Sequence, residues 1–475
     1  MRRVRRSLVL IGCVIGVLTL APAAMAGHKT DPRTPNMHPL GHIFEPAVLG
    51  GFGGGEPDIN TDIAFQGKYA FQGNWDGFSI RDISAPGNPK TVSRTFCDGN
   101  QGDVAVYGDI LVRAWNTPAG TAGPFGAGLT CDGQAVPLGF EGVHVFDISN
   151  LANPVLVADI ELSARPQADA FGCGSHTLTL VPDPANDRAI VYNQTSGGPC
   201  PFVGILEVPL DSPEDARWLR NEPLEHADAA HDTGVILGDV NLMAVASHDF
   251  ANVFDIGPNE HPGGSLTDPV FLYGISEPGV CNEPGNPLCN GNWHSATFTW
   301  DGDVIILGWE PGGGLQAECE ASDPAAKKSF FFYSSEDGSK LGQWTLPRPQ
   351  SAQENCTLHN YNTVPLRDGR DVLVSGNYQA GTWVIDFTNP ANPVTVGWSD
   401  PPPADPVPLP SPPPFCTAGG GCPLTGAWSS HWYNGFIYES HIGEGLNIFK
   451  LSGNTLAHSM KLDRLNPQTQ EFSID

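Results

Sequence analysis

The chain has 475 residues, with 24 Lys+Arg against 52 Asp+Glu and a formal net charge of −28. So acidic a protein excludes nucleic acid and anionic membrane as natural partners. With 56 glycines, 44 prolines and charged residues at 16%, a helical bundle is excluded in favour of a turn-dense all-β fold.

The first 26 residues read as an export signal. Arg2, Arg3, Arg5 and Arg6 form a basic start, Leu8 to Leu20 an apolar run, and Ala24-Met25-Ala26 a small-residue cleavage site before Gly27. The apolar run is too short for a membrane span, so the mature chain is expected to hold no integral membrane segment. Arg5-Arg6-Ser7-Leu8-Val9 loosely fits a twin-arginine signal, and Leu10-Ile11-Gly12-Cys13 resembles a lipoprotein box. Cleavage after Ala26, giving a secreted or periplasmic protein, is the expectation over anchoring at Cys13. Ten cysteines then remain, an even set that implies disulfides. Neighbours suggest Cys97–Cys131, Cys173–Cys200, Cys281–Cys289, Cys319–Cys356 and Cys416–Cys422, although spacing does not fix connectivity.

Residues 27–55, which include the run Gly50-Gly51-Phe52-Gly53-Gly54-Gly55, read as a lead segment. From residue 56 to 475 the chain repeats. The unit G-x-x-[IV]-x-[DK]-[IFL], usually followed by Asn-Pro and another strand, occurs as GFSIRDISAPGNPKTVSRTF (77–96), GVHVFDISNLANPVLVADIEL (142–162) and GTWVIDFTNPANPVTVGW (381–398). Looser copies lie at 251–275 and 445–453. Strand pairs with tight turns precede these units, as in DIAFQGKYAFQG (62–73) and DVAVYGDILVRAW (103–115). Four meandering strands per unit define a propeller blade. Innermost strands beginning near Asn60, Asn100, His176, His231, His294, His359 and His431 give a seven-bladed β-propeller of four-stranded antiparallel blades. Compact repeats need only ~40–45 residues, so the excess falls in loops at 116–140, 275–292, 310–326 and 400–427. The Pro-rich insertion 401–414 reads as a polyproline II excursion. Either residues 38–52 or 454–475 supply the strand that closes the ring.

These repeats resemble the LVIVD-repeat family of exported bacterial β-propellers, over roughly residues 56–453. That family implies a fold but no general activity. CGSHTLTLVPD, NWHSATFTWDGDVIILGWE and the histidine-led last blade are fainter likenesses to the selenium-binding protein and methanethiol oxidase propellers. Exported bacterial members of that group are copper-associated oxidases with histidines near the axis.

Five histidines, His176, His231, His294, His359 and His431, recur at or near the start of an innermost strand. In a propeller such positions converge near the axis on the face that also carries the B-to-C loops and the cysteines. Strand B of each blade ends there too, at Asn74, Asn116, Gln194, His248, Glu310, Asn377 and His441. A group of imidazoles on one surface suits a transition metal. His176, His231, His294, His359, His431, His248 and His441 are therefore the candidate ligands. The sulfur-free set suits copper, zinc and iron, and the Irving–Williams order and the extracytoplasmic setting favour copper or zinc. Cys173-Gly-Ser-His176 and Cys356-Thr-Leu-His359 have C-x-x-H spacing, but disulfides are preferred for their cysteines. Glu310 is either a ligand or a general base on a small-molecule substrate's reaction, or else an exposed loop carboxylate. Asp232 either orients His231 or closes a turn. His28, His38, His42, His144, His226, His261 and His458 read as incidental, with His226 a candidate support to the ligands.

Two functions follow, besides metal storage or sensing without turnover at the same site. One is a monomeric metal-dependent oxidase or hydrolase. The other is a non-catalytic propeller whose looped face holds a protein, glycan or cell-envelope partner, its inner histidines bonding one another or channel water.

Overall fold

The computed structural model describes residues 27–45, 59–116, 129–161, 173–195, 200–225, 229–247, 250–257, 263–277, 291–311, 319–351, 354–402 and 425–474. They form seven four-stranded antiparallel blades, two of them extended by one short strand. Strands A to D run Asn60–Gln66, Tyr69–Asn74, Gly77–Asp82 and Lys90–Phe96 in blade 1. Blade 2 holds Gln101–Tyr107, Ile110–Trp115, Gly142–Asp147 and Val155–Glu161. The A strands of blades 3 to 7 are Thr177–Asp183, Ala230–Ile236, Gly291–Phe298, Tyr361–Thr363 and Ala427–Tyr433.

The repeated motif has a local cause. The Asp that ends strand C accepts the backbone N–H two residues on: Ser84 to Asp82 at 2.9 Å, Ser149 to Asp147 at 2.8 Å, Gly257 to Asp255 at 3.0 Å and Thr388 to Asp386 at 3.1 Å. This Asx turn stops the strand. A second turn then closes at Asn88, Asn153 and Asn392, whose N–H groups bond the carbonyls three residues back. The following proline opens strand D in an extended conformation. The A-to-B hairpins are as tight as expected. Asn434-Gly435 takes positive φ at both positions (50° and 96°), the geometry of a two-residue turn that matches strand twist.

The core lies between blades. One cluster joins blades 1 and 2 through Phe71, Phe78, Val106, Trp115 and Phe146; another joins blades 5 and 6 through Phe330, Phe332, Leu373 and Trp383. Inner strands are buried along nearly their whole length, whereas the outermost strands are largely open. Each fully buried large apolar side chain contributes ~1.5–3 kcal/mol, so every blade is stabilised chiefly by its neighbours.

Ring closure falls to the amino-terminal side. Met37–Phe44 is the outer strand of blade 7, antiparallel to Gly445–Leu451. The carboxyl terminus does something else. Arg464–Leu465 pairs with Gln66 and Phe65 of blade 1, and Thr469–Gln470 pairs in parallel with Val235–Ile236 of blade 4. Between and beside these, Asn466 bonds both backbone groups of Val106, Thr469 bonds the Leu180 carbonyl, and Gln470 bonds Thr297, Phe298 and Thr363. These partners lie at or beyond the middle of the inner strands of blades 1 to 6, away from their histidine-bearing starts. The tail thus crosses the channel on the side opposite the looped face.

Disulfides join Cys97 to Cys131, Cys173 to Cys200 and Cys319 to Cys356, on the face where inner strands begin. The expected pairs Cys281–Cys289 and Cys416–Cys422, the glycine run 50–55, and most of the four long loops lie outside the described residues. Among the described residues no helix is long and apolar enough to cross a membrane.

Candidate metal centre

An irregularity at the start of the inner strands aims the site. In blade 4 the register slips between Ala230 and Asp232, in blade 5 between Trp293 and Ser295, and in blade 7 between Ala427 and Ser429. The extra residues are His231, His294 and Trp428. Such bulges turn one side chain out of the pleat. His176 and His359 stand at the same place, immediately before the Thr177–Gln194 pair and before Asn360, which accepts the Gly376 N–H. Blades 1 and 2 put Thr61 and Gly102 there, within slips that also take in Asp62 and Asp103.

His176, His231, His294 and His359 form an arc. Their ring centroids are 4.7 Å apart from His176 to His231, 4.2 Å from His231 to His294 and 4.0 Å from His294 to His359. Two imidazoles on adjacent corners of one metal, with metal–nitrogen bonds of ~2.0 Å, hold their centroids roughly 4.5 Å apart. Glu310, at the end of strand B of blade 5, joins them with Oε2 3.4 Å from His231 Nε2. One ligand atom each from His231, His294 and Glu310 lies within 4.8 Å of the others. The residues present therefore fit a metal ion.

The hydrogen bonds show which nitrogens are free. His359 Nδ1 lies 2.6 Å from the Trp428 carbonyl. A carbonyl can only accept, so Nδ1 carries the proton and Nε2 keeps the lone pair. The Nδ1 atoms of His176, His231 and His294 are buried without a hydrogen-bond partner, which is uncommon for buried polar atoms. Burial, reinforced by the neighbouring imidazoles, holds His294 and His176 well below the usual histidine range. Burial also lowers His359 to about 4, against the opposing pull of Glu310 and the Trp428 carbonyl. These three rings are neutral near pH 7, the state a metal needs.

Aromatic rings wall one side. Tyr378 and Trp428 sit 4.5 and 4.7 Å from the His359 ring. Tyr378 has φ of 42°, a left-handed conformation costly for a tyrosine and frequent at functional sites. Neither residue carries a sequence signal of the kind that marks the histidines. Trp428 is recognisable only once the blade 7 strand is aligned from Ala427.

Beneath the arc lies a layer of carboxylates. Asp62, Asp103 and Asp232 each accept the N–H of the next residue; for Asp232 this is the turn-type bond. His431 belongs to this layer. It lies three residues deeper than Trp428, and its Nε2 donates to Asp62 at 2.6 Å. Its register thus differs from the strand-start position that the repeat suggests, because the blade 7 strand begins at Ala427. His431 Nδ1 is itself buried without a partner. Asp62 also accepts from Asn360 at 2.7 Å and from Gln468 of the tail at 3.2 Å. Although burial alone would raise Asp62, the His431 imidazole, with the Ile63 N–H and Ser429 beside it, lowers it to about 2. Asp103 and Asp232 are pushed well up by burial, with Asp62 adding to it.

His441 stands apart from the arc. It lines a cavity of about 210 Å3 between blades 6 and 7, with Asp31, Glu439 and Glu444. Burial and the carboxylates of Glu439 and Glu444 raise Asp31 to about 7. His28 is nearby, 2% exposed, with both ring nitrogens unpartnered. Burial lowers it to about 3, with His42, Lys29, Arg33 and His441 adding to the effect. His248, His226 and His261 lie outside the described residues. His144 approaches Cys97 and Cys131, but those sulfurs are consumed in a disulfide, and the ring pairs instead with Asp159 at 3.3 Å.

The chain is a β-propeller that carries segments similar to the LVIVD repeat. The LVIVD repeat model matches residues 59–95, 140–161 and 366–400, within blades 1, 2 and 6. No curated protein matches the chain.

Proposed function

We propose that this is an exported β-propeller that binds one transition-metal ion through His176, His231, His294 and His359, with Glu310 beside them. One observation carries the reading: three buried imidazole nitrogens lack partners within an arc of rings whose centroids lie 4.0–4.7 Å apart. Copper or zinc is favoured over iron by the Irving–Williams order and the extracytoplasmic setting. The three disulfides go with an extracytoplasmic setting.

The site further supports chemistry on a small molecule, an oxidation or a hydrolysis. A bound ion would supply Lewis acidity or redox capacity. The chain's own residues supply the rest. Glu310 is placed to accept a proton at Oε2, Tyr378 and Trp428 shape an apolar wall, and the carboxyl-terminal tail leaves the looped face as the entrance.

Elemental analysis of exported protein beside a His176→Ala/His294→Ala double variant tests this. About one equivalent more of copper, zinc or iron in the wild type than in a folded variant is the expected result. No metal in either, even after reconstitution, overturns it and leaves the looped face as a surface for a protein, glycan or envelope partner.

A further inference from the structure

We propose a second metal site at the amino terminus that cleavage after Ala26 creates: a Cu(II) centre formed by the Gly27 amine, the Gly27–His28 amide nitrogen and the His28 imidazole, completed by His42. It rests on the export reading and is independent of the histidine arc. Gly27-His28-Lys29 directly follows Ala24-Met25-Ala26 in the sequence. An amino-terminal residue followed by histidine places three nitrogens on adjacent chelate rings, five- and six-membered, whatever the surrounding fold. Copper(II), which favours tetragonal nitrogen sites, can take all three. Binding releases one proton from the terminal ammonium and one from the amide, and no electron moves.

The fold prepares the other requirements. Residues 27–30 are a single helical turn, and first-turn N–H groups have no intrahelical carbonyl, so the His28 amide gives up no helix bond. The His28 ring is buried against Phe449 and His42, at centroid distances of 5.7 and 5.1 Å, with neither nitrogen partnered. His42 is oriented by a chain of bonds. The Glu439 carboxylate accepts from Thr382 Oγ1 at 2.5 Å and from Asn447 Nδ2 at 2.8 Å. That fixes the Asn447 amide so that its oxygen faces His42 Nδ1 at 2.7 Å. His42 therefore carries its proton on Nδ1 and presents the Nε2 lone pair, as metal-bound histidines supported by an acceptor do. Asp31, Glu439 and Glu444 around the adjoining cavity favour a cation there.

The test uses exported full-length protein carrying His176→Ala/His294→Ala, so that the arc is silent. The mature chain is expected to begin at Gly27 by amino-terminal sequencing. It should bind one Cu(II), with nitrogen hyperfine structure in its electron paramagnetic resonance spectrum, and should not bind Zn(II) comparably. Extending the terminus by two alanines, or His28→Ala, should weaken binding at least ~100-fold. His42→Ala should weaken it roughly 10-fold and alter the spectrum. A mature terminus elsewhere, no Cu(II) in the double variant, or undiminished binding after the extension each overturns the proposal. Loss of arc metal alone leaves it standing.

Discussion

Two sides of one channel handle histidine differently. On the side of blades 7, 1 and 2, His431 donates to Asp62, and that carboxylate is shared with Asn360, Gln468 and the Ile63 N–H. On the side of blades 3 to 6, His176, His231 and His294 each hold a buried nitrogen that nothing in the chain engages. Both groups are buried imidazoles on inner strands. The first is tied into a network that holds blades together. The second is a set of donors held ready for something else. His431 also keeps an unpartnered Nδ1, so the two groups differ in company: His431 faces a carboxylate shared by four donors, whereas the arc sets imidazole against imidazole.

The largest effect expected from this contrast is on stability. Asp62→Ala strips a buried partner from His431, Asn360 and Gln468 and should cost about 3–5 kcal/mol, read as a lower midpoint in denaturant unfolding. A value below about 1 kcal/mol would remove the distinction.

Acid comes next. In metal-free protein, unfolded His359 takes its proton below about 6.5, while the folded ring does so only near 4. Between these values the unfolded chain binds more protons, so stability falls as pH drops from 6.5 towards 4. The change is of order 3 kcal/mol for this ring. His176 and His294 shift in the same direction and add to it. Asp62 acts below that range, its contribution being lost between about 4 and 2. Asp31, Asp103 and Asp232, held above their usual range, act with the opposite sign. Urea midpoints of wild type and His359→Ala, compared from pH 7 to 4, therefore check the sign, and parallel profiles would contradict it.

His231→Ala removes an unpartnered Nδ1 but also a buried ring and the neighbour of the Glu310 carboxylate, so the metal-free midpoint should fall. It should lower metal affinity by at least ~100-fold, measured by competition with a chelator. The smallest effect belongs to Thr61→Ala, at the same strand position in blade 1. Loss of its 3.3 Å bond to the Gly102 carbonyl should cost at most about 1 kcal/mol, with metal content unaltered.

Much of this was legible in the residues. The Asp that closes strand C and the Asn-Pro turn after it are local hydrogen-bonding devices, so they mark each blade wherever they recur. The positions His176, His231, His294 and His359 were readable because each follows a turn and opens an apolar strand. His431 illustrates the limit. Trp428-Ser429-Ser430-His431 offers no turn residue to mark where the strand begins, and a slip of three positions moves the ring from one layer to the next. Tyr378 and Trp428 went unmarked because aromatic residues are plentiful in any core. The tail was opaque for the opposite reason. Asn466-Pro467-Gln468-Thr469-Gln470 has the polarity of a surface segment, yet its amides bond inner-strand carbonyls inside the channel.

That tail has a consequence for the order of assembly. Met37 pairs with Leu451, and residues 464–470 bond inner-strand groups of blades 1 to 6. Neither the ring nor its seal can form until nearly the whole polypeptide has emerged. Contacts of such sequence separation close slowly, and an incomplete chain carries an unpaired strand edge open to other chains. A nonsense codon or a proteolytic cut near residue 460 would therefore remove few residues and leave an open pore through the ring. Residues 464–470 act as a seal across the ring.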